Sequence, residues 1–136
     1  MTTTTTVEVI PEITFASGLP AFPHAHRFTI TRWGGEDSPF SLLRSLDDPD
    51  LSFVVTHPGI FFPDYAPEID DETVTRIGLE SEEDALVLVI LTLGATPADA
   101  TANLLGPIVV NTRTRDAVQA VLLDTRYEVR TPLTAG

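Results

Sequence analysis

The 136 residues include twenty acidic side chains against eight arginines and no lysine, a formal net charge of −12, and 43% of the residues are hydrophobic. A chain of this length and apolar content buries one core as one domain, and its charge argues against direct binding to nucleic-acid phosphates. Cysteine is absent, which removes disulfides and thiolate chemistry, and the longest apolar run, Ala85 to Leu91, is far short of the roughly 20 residues that cross a bilayer.

Met1 and the five threonines after it form a low-complexity start, 1–6, that is expected to be flexible; neither a basic flank nor an apolar stretch of the secretory kind accompanies it. The remainder, 7–136, shows no internal repeat and no polar linker, so it reads as one unit placed in the cytoplasm. Val7 to Phe15 alternates apolar and polar residues around Pro11, which fits an edge or the join between two short strands and suggests a first hairpin-like element. Gly18, Pro20 and Pro23 mark a turn, after which His26 to Trp33 is a strand with Phe28 and Ile30 on one face.

Ser38 and Pro39 have the chemistry of a helix entrance. Phe40, Leu43 and Leu46 recur at helical spacing, which predicts a short helix from Pro39 to Leu46 that ends before Asp48-Pro49. Leu51, Phe53 and Val55 then alternate as a strand. Pro58, Pro63 and Pro67 break the next stretch into an irregular loop carrying Ile60, Phe61, Phe62 and Tyr65. Asp70 to Ile77 predicts a brief acidic helix with Gly78 as its exit. Ala85 to Leu93 is apolar on both faces and reads as a central strand. Thr101 to Asn111 and Asp116 to Leu123 predict two more strands, although Val118, Val121 and Leu122 also fit a helical face, and Tyr127 to Arg130 suggests a final edge. The pattern is mainly β: a compact antiparallel barrel-like or sandwich domain with one or two short helices.

Catalytic signatures are missing. His24, His26 and His57 do not supply the three or four ligands that zinc needs, and Asp47, Asp48 and Asp50 lack the spacing of a calcium loop, fitting instead the capping of a turn. No metal and no cofactor is expected. The chain contains no nucleophile elbow, phosphate loop or dinucleotide fingerprint. The alternative to a non-enzymatic role is a small hydrolase built from His57 and the clustered carboxylates. Binding has better candidates. Phe61, Phe62 and Tyr65 in a proline-broken loop can present rings to a partner, with Asp64 and Glu68 as a charged rim. Glu82, Glu83 and Asp84 close an acid-rich stretch suited to steering a basic protein. Asn111, Arg113 and Arg115 form a further polar candidate surface.

Several long segments carry a family resemblance. GLPAFPHAHRF (Gly18 to Phe28), SPFSLLRSLDDPDLSFVVTHPGIFFPDYAPEI (Ser38 to Ile69), ALVLVILTL, TANLLGPIVVNTRTRDA (Thr101 to Ala117) and RYEVRTPL occur in the order in which the FliW family of flagellar assembly factors has them. The sequence resembles that family over nearly its whole length. It departs from it at Ala21, at His57 and Gly59-Ile60 before FFPDY, at Gly106 and at Thr112, all of which bear on local loop shape. The resemblance implies a compact, mainly β protein without catalytic activity that binds flagellin before its export; a barrel-like domain of this length can bury its own core and is expected to be monomeric. It also implies binding to the translational regulator CsrA, so that the amount of unexported flagellin governs how much regulator is free to act on flagellin translation.

Overall fold

The computed structural model describes residues 10–16, 18–19, 22–33, 39–48, 50–93, 99–123 and 126–133. The threonine-rich start at 1–6 and the Gly34-Gly35 pair lie outside them. Nine strands appear among the described residues: β1 (Ile10–Phe15), β2 (Arg27–Arg32), β3 (Phe40–Ser45), β4 (Ser52–Thr56), β5 (Ala85–Thr92), β6 (Thr101–Ala102), β7 (Ile108–Asn111), β8 (Asp116–Gln119) and β9 (Thr131–Pro132). They are joined by one helix, α1 (Asp71–Arg76), and by 3-10 turns at Pro58–Ile60 and Glu82–Asp84.

The sheet runs β4-β3-β2-β1-β8-β7-β5, and β5 pairs back onto β4. Seven strands therefore close into a barrel, which removes the exposed edges of those seven as far as the ladders extend. All neighbours are antiparallel except β1 and β8, which run parallel with Thr14 opposite Asp116. The short β6–β9 pair extends outward from the end of β5, where Leu91 lies opposite Ala102.

Strand parity decides what fills the barrel. Ile13, Phe15, Phe28, Ile30, Leu43, Val55, Leu88, Ile108 and Val110 point inward and are buried, so side chains fill the interior of the narrow barrel. Phe15 and Phe28 meet edge to face at 5.3 Å between centroids. The opposite faces of β5 and β7 are covered too. Val89 and Leu91 pack outside the barrel with Ala102 and Leu104, beneath Phe62 and Tyr65. Val109 packs with Ile77 and Ala120. The stretch 57–81 thus wraps the barrel wall, which is why β5 needs apolar residues on both faces.

The predicted helix at Pro39 to Leu46 is corrected: Phe40–Ser45 is the strand β3, paired to both β2 and β4. Ser41, Leu43 and Ser45 face inward while Phe40 packs on the outer wall, so apolar residues on two faces of a strand mimic one helical stripe. Leu46, the third member of that stripe, is 44% exposed. Ser45 ends the strand by accepting hydrogen bonds from the amides of Asp47 and Asp48 at 3.1 and 2.9 Å. Asp47 in turn accepts from the amides of Arg27 and His26 at 2.9 and 3.1 Å. These bonds, Arg27 first, hold its carboxyl below the usual range. The acids of this turn are structural.

Thr101 to Asn111 is likewise not one strand. Asn103 folds back, its Oδ1 accepting from the amides of Leu105 and Gly106 at 3.1 and 2.9 Å, and this side-chain turn separates β6 from β7. Tyr127 to Arg130 carries no strand; the terminal edge lies at Thr131–Pro132. The helix expected at Asp70 to Ile77 is present, with Asp70 accepting from the Thr73 amide at 2.9 Å and Gly78 leaving at φ +65°.

Candidate protein-binding surface

The loop that follows β4 begins with Pro58, buried and placed at the start of a 3-10 turn where its missing donor costs nothing. The turn is closed by the amides of Phe61 and Phe62, which both donate to the Pro58 carbonyl at 3.1 and 2.7 Å. Consecutive rings then part company. Phe62 enters the outer cluster over Val89 and Leu91, together with Tyr65. Phe61 stacks on Phe40 with centroids 5.9 Å apart and planes 10° from parallel. Phe40 in turn meets Trp33 edge-on at 6.3 Å. The result is a row of three aromatics across the outer wall, with Ile60 preceding Phe61 in the chain.

This row is only partly covered. Trp33 is 40% and Ile60 53% exposed, and Phe40 and Phe61 are half-buried. Rings stacked on one another keep few rotamers, so they can present apolar area at small entropic cost. Trp33 and Phe40 were not among the site residues that the sequence singled out. The signal exists only once β3 is recognised as a strand, because outward parity then puts Phe40 beside Trp33, the residue that follows β2.

Tyr65 has a different task. Its phenol donates to the Leu104 carbonyl at 2.6 Å, and its ring meets Tyr127 edge to face at 4.8 Å. Tyr127 accepts from the Ala66 amide at 3.1 Å. Burial, reinforced by the neighbouring Tyr127, holds the Tyr65 phenol protonated well above the ordinary range. The two tyrosines form a clasp that fixes the loop to the chain after β6. Asp64 stands exposed between Phe62 and Tyr65.

The acidic candidates lie at the other end of β5. Ser81 accepts from the Glu83 amide at 3.2 Å and shapes the turn on which Glu82 and Glu83 are exposed, while Asp84 is half-buried. Arg113 approaches Glu80 at 3.2 Å and Asp84 at 3.8 Å, so this arginine is spent within the acidic group. Asn111 is 2% exposed. Its amide donates to the carbonyls of Ile77 and Gly78 at 2.9 and 3.2 Å, and its Oδ1 accepts from the amides of Arg113 and Thr114. It is a joint between the end of α1 and the β7–β8 turn. Arg115 is exposed at φ +69°, and its carbonyl accepts from the Thr14 amide at 2.9 Å. The aromatic and acidic candidates therefore belong to separate surfaces, with the length of β5 between them.

A family model described as FliW protein matches residues 1–133. The flagellar assembly factor FliW of Bacillus licheniformis is 41% identical over 121 residues, 89% of this chain and 84% of that protein. FliW of Caldanaerobacter subterraneus is 37% identical over 121 residues, 89% of this chain and 81% of that protein, and FliW of Bacillus subtilis is 38% identical over 121 residues, 89% and 84% respectively. A crystal structure of the flagellar assembly factor FliW superposes with a TM-score of 0.86 at 32% identity, covering 96% of this chain and 92% of that one.

Proposed function

The chain belongs to the FliW family of flagellar assembly factors, and we propose that it binds flagellin before export in the cytoplasm and antagonises a CsrA-type translational regulator. It does so as a monomer, making and breaking no covalent bond. The row Trp33, Phe40 and Phe61 is the observation that carries this reading. Flagellin segments awaiting assembly are amphipathic and need an apolar surface with a polar surround. Partly exposed, mutually stacked rings beside Ile60 provide one.

The regulator is a different kind of partner. An RNA-binding protein exposes cations, and a chain of net charge −12 attracts them over distance, raising the encounter rate. Glu82 and Glu83, exposed at the head of β5, are suited to that steering.

Phe61→Ala and Trp33→Ala, titrated with purified flagellin by calorimetry, test the reading. Each is expected to cost about 1–4 kcal/mol of affinity, the range of an interface hot spot, while the unfolding temperature of the isolated protein stays nearly unchanged. Undiminished flagellin affinity in the double variant would move the binding surface elsewhere.

A further inference from the structure

The ladder between β7 and β8 does not stop at Gln119. The amides of Ala120 and Leu122 donate to the carbonyls of Pro107 and Leu105 at 2.9 and 2.8 Å, so the chain past β8 keeps the register of the ladder through Leu122. Alternation along a strand turns the N–H and C=O groups of Val121 and Leu123 to the opposite side. Earlier in β8 that side is occupied by β1, whose pairing reaches Phe15 opposite Ala117, its last residue. Beyond it the edge opens. Among the described residues, Val121 and Leu123 have no backbone hydrogen-bond partner.

A groove of about 560 Å³ separates this edge from residues 68–73, within the roughly 300–1,000 Å³ of ligand sites. On the far wall Glu68 and Ile69 also lack backbone partners among the described residues. Val121 is 67% and Leu123 94% exposed, so the open edge is flanked by apolar side chains. Acids stand across from it. Asp70 caps α1, whereas Glu68 and Asp71 are exposed and have no cation within salt-bridge distance among the described residues. No lysine or arginine lines the groove.

We propose that this groove accepts an extended, positively charged polypeptide segment as an added β-strand. The Val121 edge supplies the main-chain hydrogen bonds, Val121 and Leu123 meet its apolar residues, and Glu68 and Asp71 meet its cations. An unprotected apolar edge invites indiscriminate pairing. Here the acidic wall disfavours a second copy of the same chain, which would bring an identical acidic wall, and favours a basic segment. The site shares no residue with the aromatic row and goes beyond the flagellin reading.

The test uses the full chain and a capped peptide of alternating arginine and valine, with an alternating glutamate and valine peptide as control. Amide exchange followed by NMR is expected to slow at Val121 and Leu123 when the arginine peptide is added and to stay unchanged with the glutamate peptide. Val121→Pro removes one edge donor that has no partner among the described residues, so it should unfold within a few degrees of the parent yet bind the arginine peptide at least tenfold more weakly. Val121→Ala, which keeps the donor, should weaken binding less than threefold, and Glu68→Gln with Asp71→Asn should weaken it about tenfold at low salt. Peptide binding that leaves the Val121 amide exchanging freely would overturn the proposal. So would equal affinity of the Val121→Pro and Val121→Ala variants, or protection of Val121 by self-association without peptide. Should Val121→Pro fail to fold, amide protection in the parent protein decides the matter.

Discussion

Phe61 and Phe62 are adjacent in the chain and end in environments with opposite uses. Phe62 lies in the outer cluster with Tyr65, where the phenol is tied to Leu104 and the ring to Tyr127. Phe61 rests on Phe40 and through it on Trp33, a row supported from beneath and open above. The clasp serves stability, and the row is the surface proposed for recognition. A single short loop supplies both environments because its 3-10 turn sends consecutive side chains in different directions.

Phe62→Ala should break the clasp hardest. Removing a ring packed against Val89 and Leu91 is expected to cost about 2–4 kcal/mol, somewhat below a fully enclosed phenylalanine because Phe62 is only partly buried. Chemical denaturation measures this directly. Flagellin affinity at a temperature where the variant stays folded should change far less than it does for Phe61→Ala; a larger loss of affinity than of stability would place Phe62 in the interface.

Tyr65→Phe is subtler. It keeps the ring and leaves the Leu104 carbonyl without its donor, an expected cost of about 1–3 kcal/mol at neutral pH. The pH dependence gives a second readout. The folded phenol titrates above its ordinary value of 10, so its contribution is fully present below pH 10 and is lost as pH rises from there toward the folded value. The stability gap between the parent and Tyr65→Phe should therefore narrow in alkali. A gap that stays constant above pH 10 would mean that Tyr65 titrates alike in the folded and unfolded chain.

The smallest effect on stability is expected from neutralising Glu82, Glu83 and Asp84 together, within about 1 kcal/mol, because the two glutamates are exposed and half-buried Asp84 approaches Arg113 only at 3.8 Å. Association with a CsrA-type partner should slow, and its salt dependence should flatten, while dissociation changes little. Stopped-flow mixing at several salt concentrations separates the two rates. Association indifferent to both salt and charge would leave these acids with a role in solubility alone.

Where sequence reading succeeded, one physical constraint dominated. Phe28 and Ile30, Phe53 to Val55, and Ala85 to Leu91 sit in strands with one or both faces buried, and alternation or continuous apolar character reports that burial directly. Asp70 and Gly78 delimit α1 because capping and positive φ are local requirements. Pro58, Pro63 and Pro67 announced an irregular loop for the same reason. Local chemistry thus determined most of the elements, and the family resemblance agreed with their order.

Tertiary structure decided what depended on distant coverage. Phe40 to Ser45 is a strand because β2 and β4 flank it and the aromatic row covers its outer side, information that its own six residues do not contain. The β6–β7 break rests on a folded-back Asn103. Asn111, legible only as a polar residue after an apolar run, is a buried joint because Ile77 and Gly78 bring two carbonyls to it from 33 and 34 residues away. The choice between barrel and sandwich was made by the β4–β5 pairing, a contact between strands far apart in sequence. Periodicity tells which faces of a strand are covered; only the closed barrel, with its wrapped outer wall, determines what covers them and which rings are left facing outward.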